Sequence, residues 1–452
     1  MKYRQEEDSL GIVNVPSNHY WGAQTERSLE NFPQGVEKIP HSQIMAIVTI
    51  KRSAAIVNNL EKKLDDKRRD LIVKACDRIL SGEFDDEFPL TVWQTGSGTQ
   101  TNMNVNEVIS HIANEDEKLI HPNDHVNMSQ SSNDVFPTAM HLSTLKNLSE
   151  KLIIEVSKTI DCFDDLIKKN DKLIKTGRTH LQDATPIKLS QEISAWKVCL
   201  QRNLKVLREV KEELKYLAIG GTAVGTGINA KKEFGEEMAK ELSKIYDMDL
   251  KSDENKFFQL SSKSSLVNVH GAIKALATDL YKIANDIRFL SCGPRCGIGE
   301  LVIPSNEPGS SIMPGKVNPT QVESITMICI KVLANDLAIS MANTQGQLQL
   351  NAYMPLIIHS MDNSITLLSK SIHCFREKLL RNLVANEGKI NENLDKSLML
   401  VTSLSPKIGY DKASEIAKYA FSKNLTLKEA NKELAYLSDE EFDKIVKPEK
   451  MV

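Results

Sequence analysis

Five long stretches of this chain place apolar residues at steps of three and four, a spacing that puts them on one face of a helix. Several of these stretches exceed the usual length of a globular helix. Helices of this length pack lengthwise into bundles. The sequence therefore predicts a mainly helical, all-α fold around a bundle of long helices. The five stretches are 142–166, 193–217, 266–290, 322–332 and 357–383.

The apolar faces of these predicted helices are more extensive than one chain can cover, so we expect the bundles to pair between subunits. The chain has 452 residues, of which 41% are hydrophobic and 26% charged, and its formal net charge is -3. This composition excludes a disordered chain. It provides no basic field for nucleic acid and no polybasic patch for a membrane, and we expect neither partner.

The targeting and redox features of the sequence predict a cytoplasmic protein. The first residues, MKYRQEEDSLG, contain acids and lack the apolar core of a secretory signal. No stretch approaches the ~20 uninterrupted apolar residues that a membrane span needs. The seven cysteines are scattered and odd in number, which is typical of reduced intracellular thiols rather than of a disulfide framework.

Polar segments rich in Gly, Asn, Ser and Thr separate the predicted helices, and we expect them to be loops. Loops on a rigid scaffold often hold the binding and catalytic residues. The last ~65 residues are more highly charged and carry shorter helical patterns, at 411–424 and 427–436, which indicates a small C-terminal domain. The polar segments are 93–107, 121–135, 175–186, 220–229 and 306–319.

The segment 306–319 contains two serines, a lysine and an asparagine among prolines and glycines, which predicts a loop. It does not fit a phosphate-binding P-loop, because Gly309 and Gly315 are one residue too far apart and Val317 replaces the magnesium-binding Ser or Thr. It also lacks the G-x-S-x-G pattern of a nucleophile elbow. From the residues alone, a flexible connector and a catalytic loop both stay open.

Two further groups of polar residues could act on a small anion. Hydroxyl and amide side chains are dense at 95–104 and 127–133, and such groups suit hydrogen bonding to small carboxylates. The alternative is that they only cap helices and form turns. His180 lies among hydroxyl, amide and carboxylate residues in TGRTHLQDATP, although a single histidine is more often structural than catalytic.

The segment GSSIMPGKVNP at 309–319 resembles the signature of the fumarase/aspartase superfamily. The other polar segments are similar to those of one branch, the class II fumarases, which are iron-independent fumarate hydratases. This similarity covers nearly the whole chain. The matching segments are SGTQTNMNVNEV at 97–108, HPND at 121–124, SQSSNDVFPTAMH at 129–141, GRTHLQDATP at 177–186, GPRCGIGE at 293–300 and GYDKA at 409–413.

The resemblance implies three mainly helical domains, here 1–130, 131–387 and 388–452, around a central bundle of long helices. Four chains would join into a homotetramer with a twenty-helix core, and three subunits would build each active site. The implied activity is that of a hydro-lyase of the tricarboxylic acid cycle. It is the reversible hydration of fumarate, a small dicarboxylate, to L-malate by anti addition and elimination. No cofactor and no metal are implied.

The resemblance also implies roles for individual residues. Ser310 matches the base that removes the C3 proton of malate, and we expect Lys316 and backbone N–H groups to activate it. His180 matches the acid that handles the departing hydroxyl or the added water, and Glu323 matches its charge partner. Lys316 and Asn318 match a carboxylate clamp. The matched substrate-binding residues are Ser97, Gly98, Thr99, Ser131, Ser132, Asn133, Thr179, Ser311, Lys316, Val317 and Asn318, and a secondary anion site matches His121, Pro122, Asn123 and Asp124.

One alternative is an aspartate ammonia-lyase, which uses the same serine base to expel ammonia. Ser132 argues against it, because aspartases typically have threonine there. Gln349 argues for it, because fumarases usually have glutamate at that position. Phe258 and Ser264 also depart from the fumarase pattern.

A second alternative is a catalytically inactive relative with only a structural role. Such a protein is expected to have lost Ser310, His180 or Lys316. The chain has all three, which favours an active enzyme.

Overall fold

The computed structural model describes residues 2–452 and has the expected all-α fold. Long helices dominate, and the longest, α10, has 27 residues. The helices in the described part of the chain are α1 (Ala23–Asn31), α2 (His41–Leu60), α3 (Asp66–Leu80), α4 (Thr99–Ala113), α5 (Ser132–Asn147), α6 (Ile153–Lys169), α7 (Leu189–Val210), α8 (Phe234–Tyr246), α9 (Lys256–Ser261), α10 (Ser264–Leu290), α11 (Thr320–Asn343), α12 (Met354–Lys378), α13 (Glu387–Lys396), α14 (Ser405–Ile408), α15 (Tyr410–Lys423), α16 (Leu427–Leu434) and α17 (Asp439–Ile445).

The five predicted helical stretches correspond to the long helices of the structure. The first is α5 and α6, joined without a break by a π-helical turn at Leu148–Leu152. The second and fifth extend less far than predicted. Leu217 lies in a strand after α7, and Leu383 follows a 3₁₀ turn after α12. Both leucines are buried. The apolar pattern therefore extends beyond the end of each helix, because the residues that follow the helix also belong to the core.

Within residues 2–452, four two-stranded ladders accompany the helices. Three are antiparallel, and the pair β5 and β6 is parallel. The ladder β3–β4 is a hairpin in which Ile174 pairs with Lys188 and Thr179 with Gln182. The strands are β1 (Tyr3–Asp8), β2 (Gly11–Pro16), β3 (Ile174–Thr179), β4 (Gln182–Lys188), β5 (Tyr216–Leu217), β6 (Lys251–Ser252), β7 (Leu301–Val302) and β8 (Val384–Ala385).

The chain divides into two compact units, each assembled from separate segments. Unit 1 comprises the described residues up to Ile154, with Lys205–Ala277 and Ile330–Ser369. Unit 2 comprises Glu155–Leu204, Thr278–Cys329 and Lys370–Val452. This division is a separate description from the three domains predicted at 1–130, 131–387 and 388–452, which stay a prediction.

Each unit has its own apolar core. In unit 1, α2 packs against α3, α5 and α8, and its residues Ile47 and Ile50 are fully buried. In unit 2, one cluster includes Leu404, Ile416 and Ala420 and extends to the C-terminal helices. The predicted small helices at 411–424 and 427–436 are α15 and α16.

Three of the polar segments predicted as loops are largely regular structure instead. One is 121–135, which contains a π-helical turn at Pro122–Val126 and the start of α5. Helix α4 begins at Thr99, so most of the segment 93–107 is helical. Its asparagines are buried and hydrogen-bonded within the fold, which offsets their weak helix propensity. The segment 175–186 forms most of the β3–β4 hairpin. The segment 306–319 contains neither helix nor strand, as predicted.

Helix α11 is the one described helix that is long and apolar enough to cross a membrane by length and composition alone. The core helix of a globular protein passes the same test, and this helix is partly buried in the protein. Asn335 and Asp336, near its middle, are buried and hydrogen-bonded to protein groups. Its buried polar positions are therefore those of a helix packed within protein.

Candidate active site

Two helices of unit 1 begin side by side with hydroxyl residues. Thr99 is the first residue of α4 and Ser132 the first of α5, and their hydroxyl oxygens lie 2.8 Å apart. The Ser97 hydroxyl extends this chain, 2.9 Å from that of Thr99. Helix N-termini present free N–H groups and a partial positive charge, so hydroxyls at this point favour a bound carboxylate.

Gly98 allows this close approach. It has a φ of 71°, and a Cβ there would lie 2.2 Å from the ring of Phe136 in α5. A side chain at position 98 would therefore push the two helix starts apart. The structure places Gly98 in a supporting role beneath the hydroxyls.

The start of α5 is fixed by its own side chains. The Ser131 hydroxyl accepts from the backbone N–H of Asn133, and the Asp134 carboxylate accepts from the N–H of Ser131. Asp134 is fully buried and also accepts from the N–H groups of Gly220 and Thr222. Burial raises the pKa of Asp134 against the effect of these hydrogen bonds. The predicted loop 220–229 is thereby attached to the site.

Asn133 is already engaged in this structure. Its side-chain N–H₂ donates to the carbonyl oxygen of Ala223 at 2.8 Å. This bond leaves the side-chain oxygen of Asn133 as the group that can still accept a hydrogen bond. The role of Asn133 in substrate binding stays a prediction.

A buried lysine that was not predicted from the sequence lies next to helix α4 in unit 1. Lys51 of α2 is fully buried and donates to the side-chain oxygen of Asn127 at 2.8 Å. Asn102 and Asn106 of α4 donate to the same oxygen. Burial lowers the pKa of Lys51 to about 7. A lysine within the largely apolar run MAIVTIKRSAAIV at 45–57 was the available signal.

In unit 2, Ser310 lies within a turn of the loop 309–318. Its hydroxyl oxygen accepts from the backbone N–H groups of Met313 and Ile312, at 3.0 and 3.3 Å. N–H donors directed at a hydroxyl oxygen stabilise negative charge on it. Ser310 is partly buried, whereas the neighbouring predicted residues Ser311, Lys316 and Val317 are exposed.

The two ends of this loop lie close together and are joined by a hydrogen bond. Asn318 donates its side-chain N–H to the carbonyl oxygen of Gly309 at 2.6 Å. A Cβ at Gly309 would lie 1.8 Å from the carbonyl oxygen of Lys316, so only glycine fits there. In this structure Asn318 thus closes the loop, and its predicted place in a carboxylate clamp is a separate role.

Thr179 and His180 lie at the tip of the β3–β4 hairpin, and both are exposed. Two residues, His180 and Leu181, connect the paired positions Thr179 and Gln182. Their φ angles are 56° and 60°, as in the type I′ turns that favour Asn and Gly. The hairpin therefore projects a histidine from a turn that non-glycine residues rarely adopt.

Within residues 2–452 of one chain, no hydrogen bond or ion pair joins the predicted catalytic residues of unit 2. Among its described residues, no hydrogen bond or ion pair joins His180 to Ser310 or to Glu323. Glu323 is exposed in the first turn of α11. The pairing of His180 with Glu323 stays a prediction.

The predicted secondary anion site lies on the surface of unit 1. His121, Asn123 and Asp124 are exposed, and Pro122 is the first residue of a short π-helical turn. The His121 ring accepts from the backbone N–H of Asp124 and lies 3.2 Å from its carboxylate. His121, Pro122 and Asn123 border a cleft of about 920 Å³ next to β1 and α4.

No group of three or more His, Cys, Asp or Glu in residues 2–452 is arranged to hold a metal ion. The glycine-rich segment 220–229 forms turns. The two-residue strand β5 ends shortly before it, but the segment lacks the G-x-G-x-x-G spacing of a dinucleotide loop and no helix begins within it.

Comparisons with known proteins cover the whole chain. A family model described as a lyase matches residues 11–334, and one described as the fumarase C C-terminus matches residues 400–452. Among curated relatives, "Fumarate hydratase class II" of Campylobacter jejuni is 51% identical over all of this chain and 99% of its own length. The protein of the same name from Listeria monocytogenes is 53% identical over 99% of both chains.

Solved structures agree with the sequence relatives. The recombinant class II fumarase of Schistosoma mansoni has a TM-score of 0.96 and 43% identity, over all of this chain and 99% of that one. A Brucella melitensis structure described as fumarate lyase:delta crystallin bound to cobalt has a TM-score of 0.95 and 38% identity, with the same coverage.

Proposed function

The chain belongs to the class II fumarase family, whose members are hydro-lyases, and on that premise we propose that it hydrates fumarate reversibly to L-malate. The observation that carries this proposal is the bond between Thr99 and Ser132. This hydrogen bond joins the N-termini of α4 and α5, which carry partial positive charge, in one site lined with hydroxyl groups. A small dicarboxylate is the kind of ligand that such a site favours.

We assign the first carboxylate of the substrate to this group of unit 1. Each hydroxyl can donate to a carboxylate oxygen, and the helix N-termini add favourable charge. The group comprises Ser97, Thr99, Ser131, Ser132 and Asn133. Thr179, Ser311, Lys316, Val317 and Asn318 are assigned to the rest of the substrate.

Ser310 is assigned as the base that removes the C3 proton of malate. A free hydroxyl is a weak base, and the two N–H groups directed at its oxygen would favour the alkoxide. The positive charge of Lys316 would stabilise the aci-carboxylate, whose oxygens carry two negative charges once the proton has moved to Ser310. The exposed loop could close over bound substrate and exclude water.

His180 is assigned as the acid for the departing hydroxyl, with Glu323 as its partner. No hydrogen bond or ion pair joins these residues and Ser310 within the described part of one chain, so we assign their assembly to neighbouring subunits. A homotetramer in which three chains build each site supplies such neighbours. The exposure of both His180 and Glu323 supports this assignment, because each remains available to another chain.

The proposed homotetramer is supported by an apolar face of α11 that no described residue covers. Met327, Ile330, Leu337 and Met341 follow one another at steps of three, seven and four, and each is more than half exposed. Removing such side chains from water is worth about 1.5–3 kcal/mol each. Pairing of α11 with its copies in other subunits would bury this face.

We also propose a cytoplasmic location and a place in the tricarboxylic acid cycle. The thiols of all seven cysteines are free, and those of Cys296 and Cys374 are exposed, as suits a reducing compartment. The aspartate ammonia-lyase alternative is not favoured, because the curated relatives at about 50% identity are named as fumarate hydratases.

The test is a direct assay of the purified enzyme by the ultraviolet absorbance of fumarate. We expect fumarate formation from L-malate at a rate typical of enzymes, on the order of 10 s⁻¹ or more. L-aspartate is the comparison substrate. Faster fumarate formation from aspartate than from malate would overturn the proposal.

A further inference from the structure

A buried carboxylate lies behind the two segments that carry His180 and Ser310. Glu300 is fully buried and is the last residue of the motif segment 293–300. It directly precedes the short strand β7, only a few residues before the loop that contains Ser310. The mechanism above assigns it no role, and a fully buried glutamate is uncommon unless it is paired.

Two cationic side chains of the β3–β4 hairpin contact the Glu300 carboxylate. Arg178 donates to both carboxylate oxygens, at 2.7 and 3.1 Å, in a bidentate pair. Lys175, which is also fully buried, lies 3.1 Å from the same carboxylate. Both cations belong to β3, and Arg178 directly precedes Thr179 and His180. Bidentate arginine–carboxylate pairs fix geometry more strongly than a single contact.

The same glutamate is bound to the C-terminal part of unit 2. Asn393 of α13 donates to a carboxylate oxygen of Glu300 at 3.1 Å. The backbone carbonyl of Glu300 accepts from the N–H of Asn386 at 2.8 Å, next to the ladder of β7 and β8. Both the side chain and the backbone of Glu300 are thus hydrogen-bonded, which fixes the segment before the loop that contains Ser310.

The charges around Glu300 are balanced in favour of its ionised form. Burial disfavours the carboxylate, but Arg178, Lys175 and Asn393 together keep the pKa of Glu300 below its usual value. Lys175 has a second partner, Glu192, at 3.1 Å. Removing the charge of Glu300 would leave two cations of the hairpin short of a buried counter-charge.

We propose that Glu300 is a positioning residue, which through Arg178 fixes the hairpin tip bearing His180 relative to the segment that leads into the Ser310 loop. This inference rests on the proposed function, because it assigns the acid and the base to these two segments. One carboxylate would then fix both catalytic segments of unit 2, each of which contributes to a site shared with neighbouring subunits. The bidentate geometry matters for this role as well as the charge.

Three variants of the full-length tetramer test the proposal. Arg178→Lys keeps the positive charge and loses the bidentate pair. Glu300→Gln keeps the size and loses the negative charge. Arg376→Lys is the control, because Arg376 is even more buried than Arg178 and pairs with Glu155, outside the hairpin and the loop. Light scattering and thermal unfolding show which variants remain assembled.

The informative readouts are hydrogen exchange in a peptide spanning 174–188, kcat, KM and the inhibition constant of succinate. We expect Arg178→Lys and Glu300→Gln to increase exchange in that peptide and to lower kcat by up to about 100-fold. The inhibition constant of succinate should change by less than about threefold, because both variants leave the carboxylate-binding residues of unit 1 unchanged. Arg376→Lys should change neither exchange in that peptide nor kcat.

Unchanged hairpin exchange in Arg178→Lys would overturn the proposal, and so would a normal kcat despite increased exchange. An equal loss of kcat in Arg376→Lys would show a general effect of buried arginines and also overturn it. If Glu300→Gln does not assemble, Arg178→Lys alone decides the outcome. Absence of malate turnover in the unmodified enzyme would refute the proposed function instead, and the exchange data would still test the attachment of the hairpin.

Discussion

The Asn318 side chain donates to the Gly309 carbonyl oxygen across 2.6 Å and so joins the two ends of the loop that contains Ser310. The carbonyl of Lys316 passes close to Gly309 inside the same closure. The loop is otherwise exposed and contains neither helix nor strand. Its shape therefore depends on these few backbone contacts, and it should be sensitive to a single methyl group.

Gly309→Ala should remove catalysis without unfolding the protein. The new Cβ would lie 1.8 Å from the Lys316 carbonyl oxygen, so the loop must open. We expect kcat to fall by about 100-fold or more, with little change in the thermal midpoint. Gly388→Ala in α13 is the control, since its Cβ meets nothing closer than 3.8 Å. Normal turnover in Gly309→Ala would show that the observed loop closure is not needed.

Ser310→Ala should abolish turnover and preserve binding. The substitution removes the proposed base and leaves the unit 1 hydroxyls in place. Loss of kcat with an unchanged inhibition constant for succinate is typical of a group that acts in the transition state. Ser305→Ala, at an exposed position before the loop, is the control. Near-normal turnover of Ser310→Ala would leave His180, acting through a water, as the better candidate for the base.

Thr99→Val should weaken substrate binding more than it slows chemistry. Valine keeps the shape but removes the hydroxyl between Ser97 and Ser132. A hydrogen bond to a charged group is worth about 1.5–3 kcal/mol, so KM should rise by roughly 10- to 100-fold. Thr144→Val in α5 is the control, because the buried hydroxyl of Thr144 has no partner in the structure. Equal effects of the two variants on KM would contradict a binding role for Thr99.

The stability of the protein should fall in acid because of His141. This residue is buried, with its ring 2.8 Å from the carbonyl oxygen of Tyr216. Burial, aided by the charge of Lys263, lowers its pKa to about 4 from 6.5. The unfolded chain therefore takes up the proton first. The stabilising effect is complete above pH 6.5 and is lost progressively as pH falls towards 4, by about 3 kcal/mol in total.

Urea unfolding at fixed protein concentration, between pH 7 and pH 4.5, measures this loss. In His141→Gln the stability should depend less on pH across that window. His41→Gln, at an exposed histidine, should behave as the unmodified protein. The same pH dependence in His141→Gln and the unmodified protein would exclude His141 as its source.

Leu337→Glu should dissociate the proposed tetramer and abolish activity. The substitution places a charge in the exposed apolar face of α11. A charge that must be buried at an interface is costly, and a separated chain would lack residues from its neighbours. Val36→Glu, at an apolar residue exposed elsewhere, is the control. Light scattering that shows an active monomer would contradict both the assembly and the shared site.

Most of the fold could be predicted from the sequence because helix periodicity is a local signal. Helix α10 begins and ends within two residues of its predicted stretch. Helix α4 was missed because Asn102, Asn104 and Asn106 resemble loop residues until their buried partners are known. Helix propensity predicted a loop in this segment, whereas tertiary hydrogen bonds to the asparagines stabilise a helix.

The candidate site could be predicted only in part. Motif residues such as Ser310 and Thr99 were found by resemblance, and the structure adds how their neighbours hold them. Glu300 and Lys51 were not found, because a buried charge shows no sequence signal that identifies its partner. The contact between Arg178 and Glu300 joins positions more than a hundred residues apart.

The turn at His180 and Leu181 has a consequence for how this protein can evolve. Each of the two positive φ angles costs a non-glycine residue roughly 1–2 kcal/mol. A laboratory selection for heat resistance alone would favour Asn and Gly at these positions and discard the histidine. Selection for growth on malate would restore it. The two pressures act in opposite directions on the His180 codon, so His180 should keep its positive φ in a thermophilic lineage even where position 181 becomes glycine.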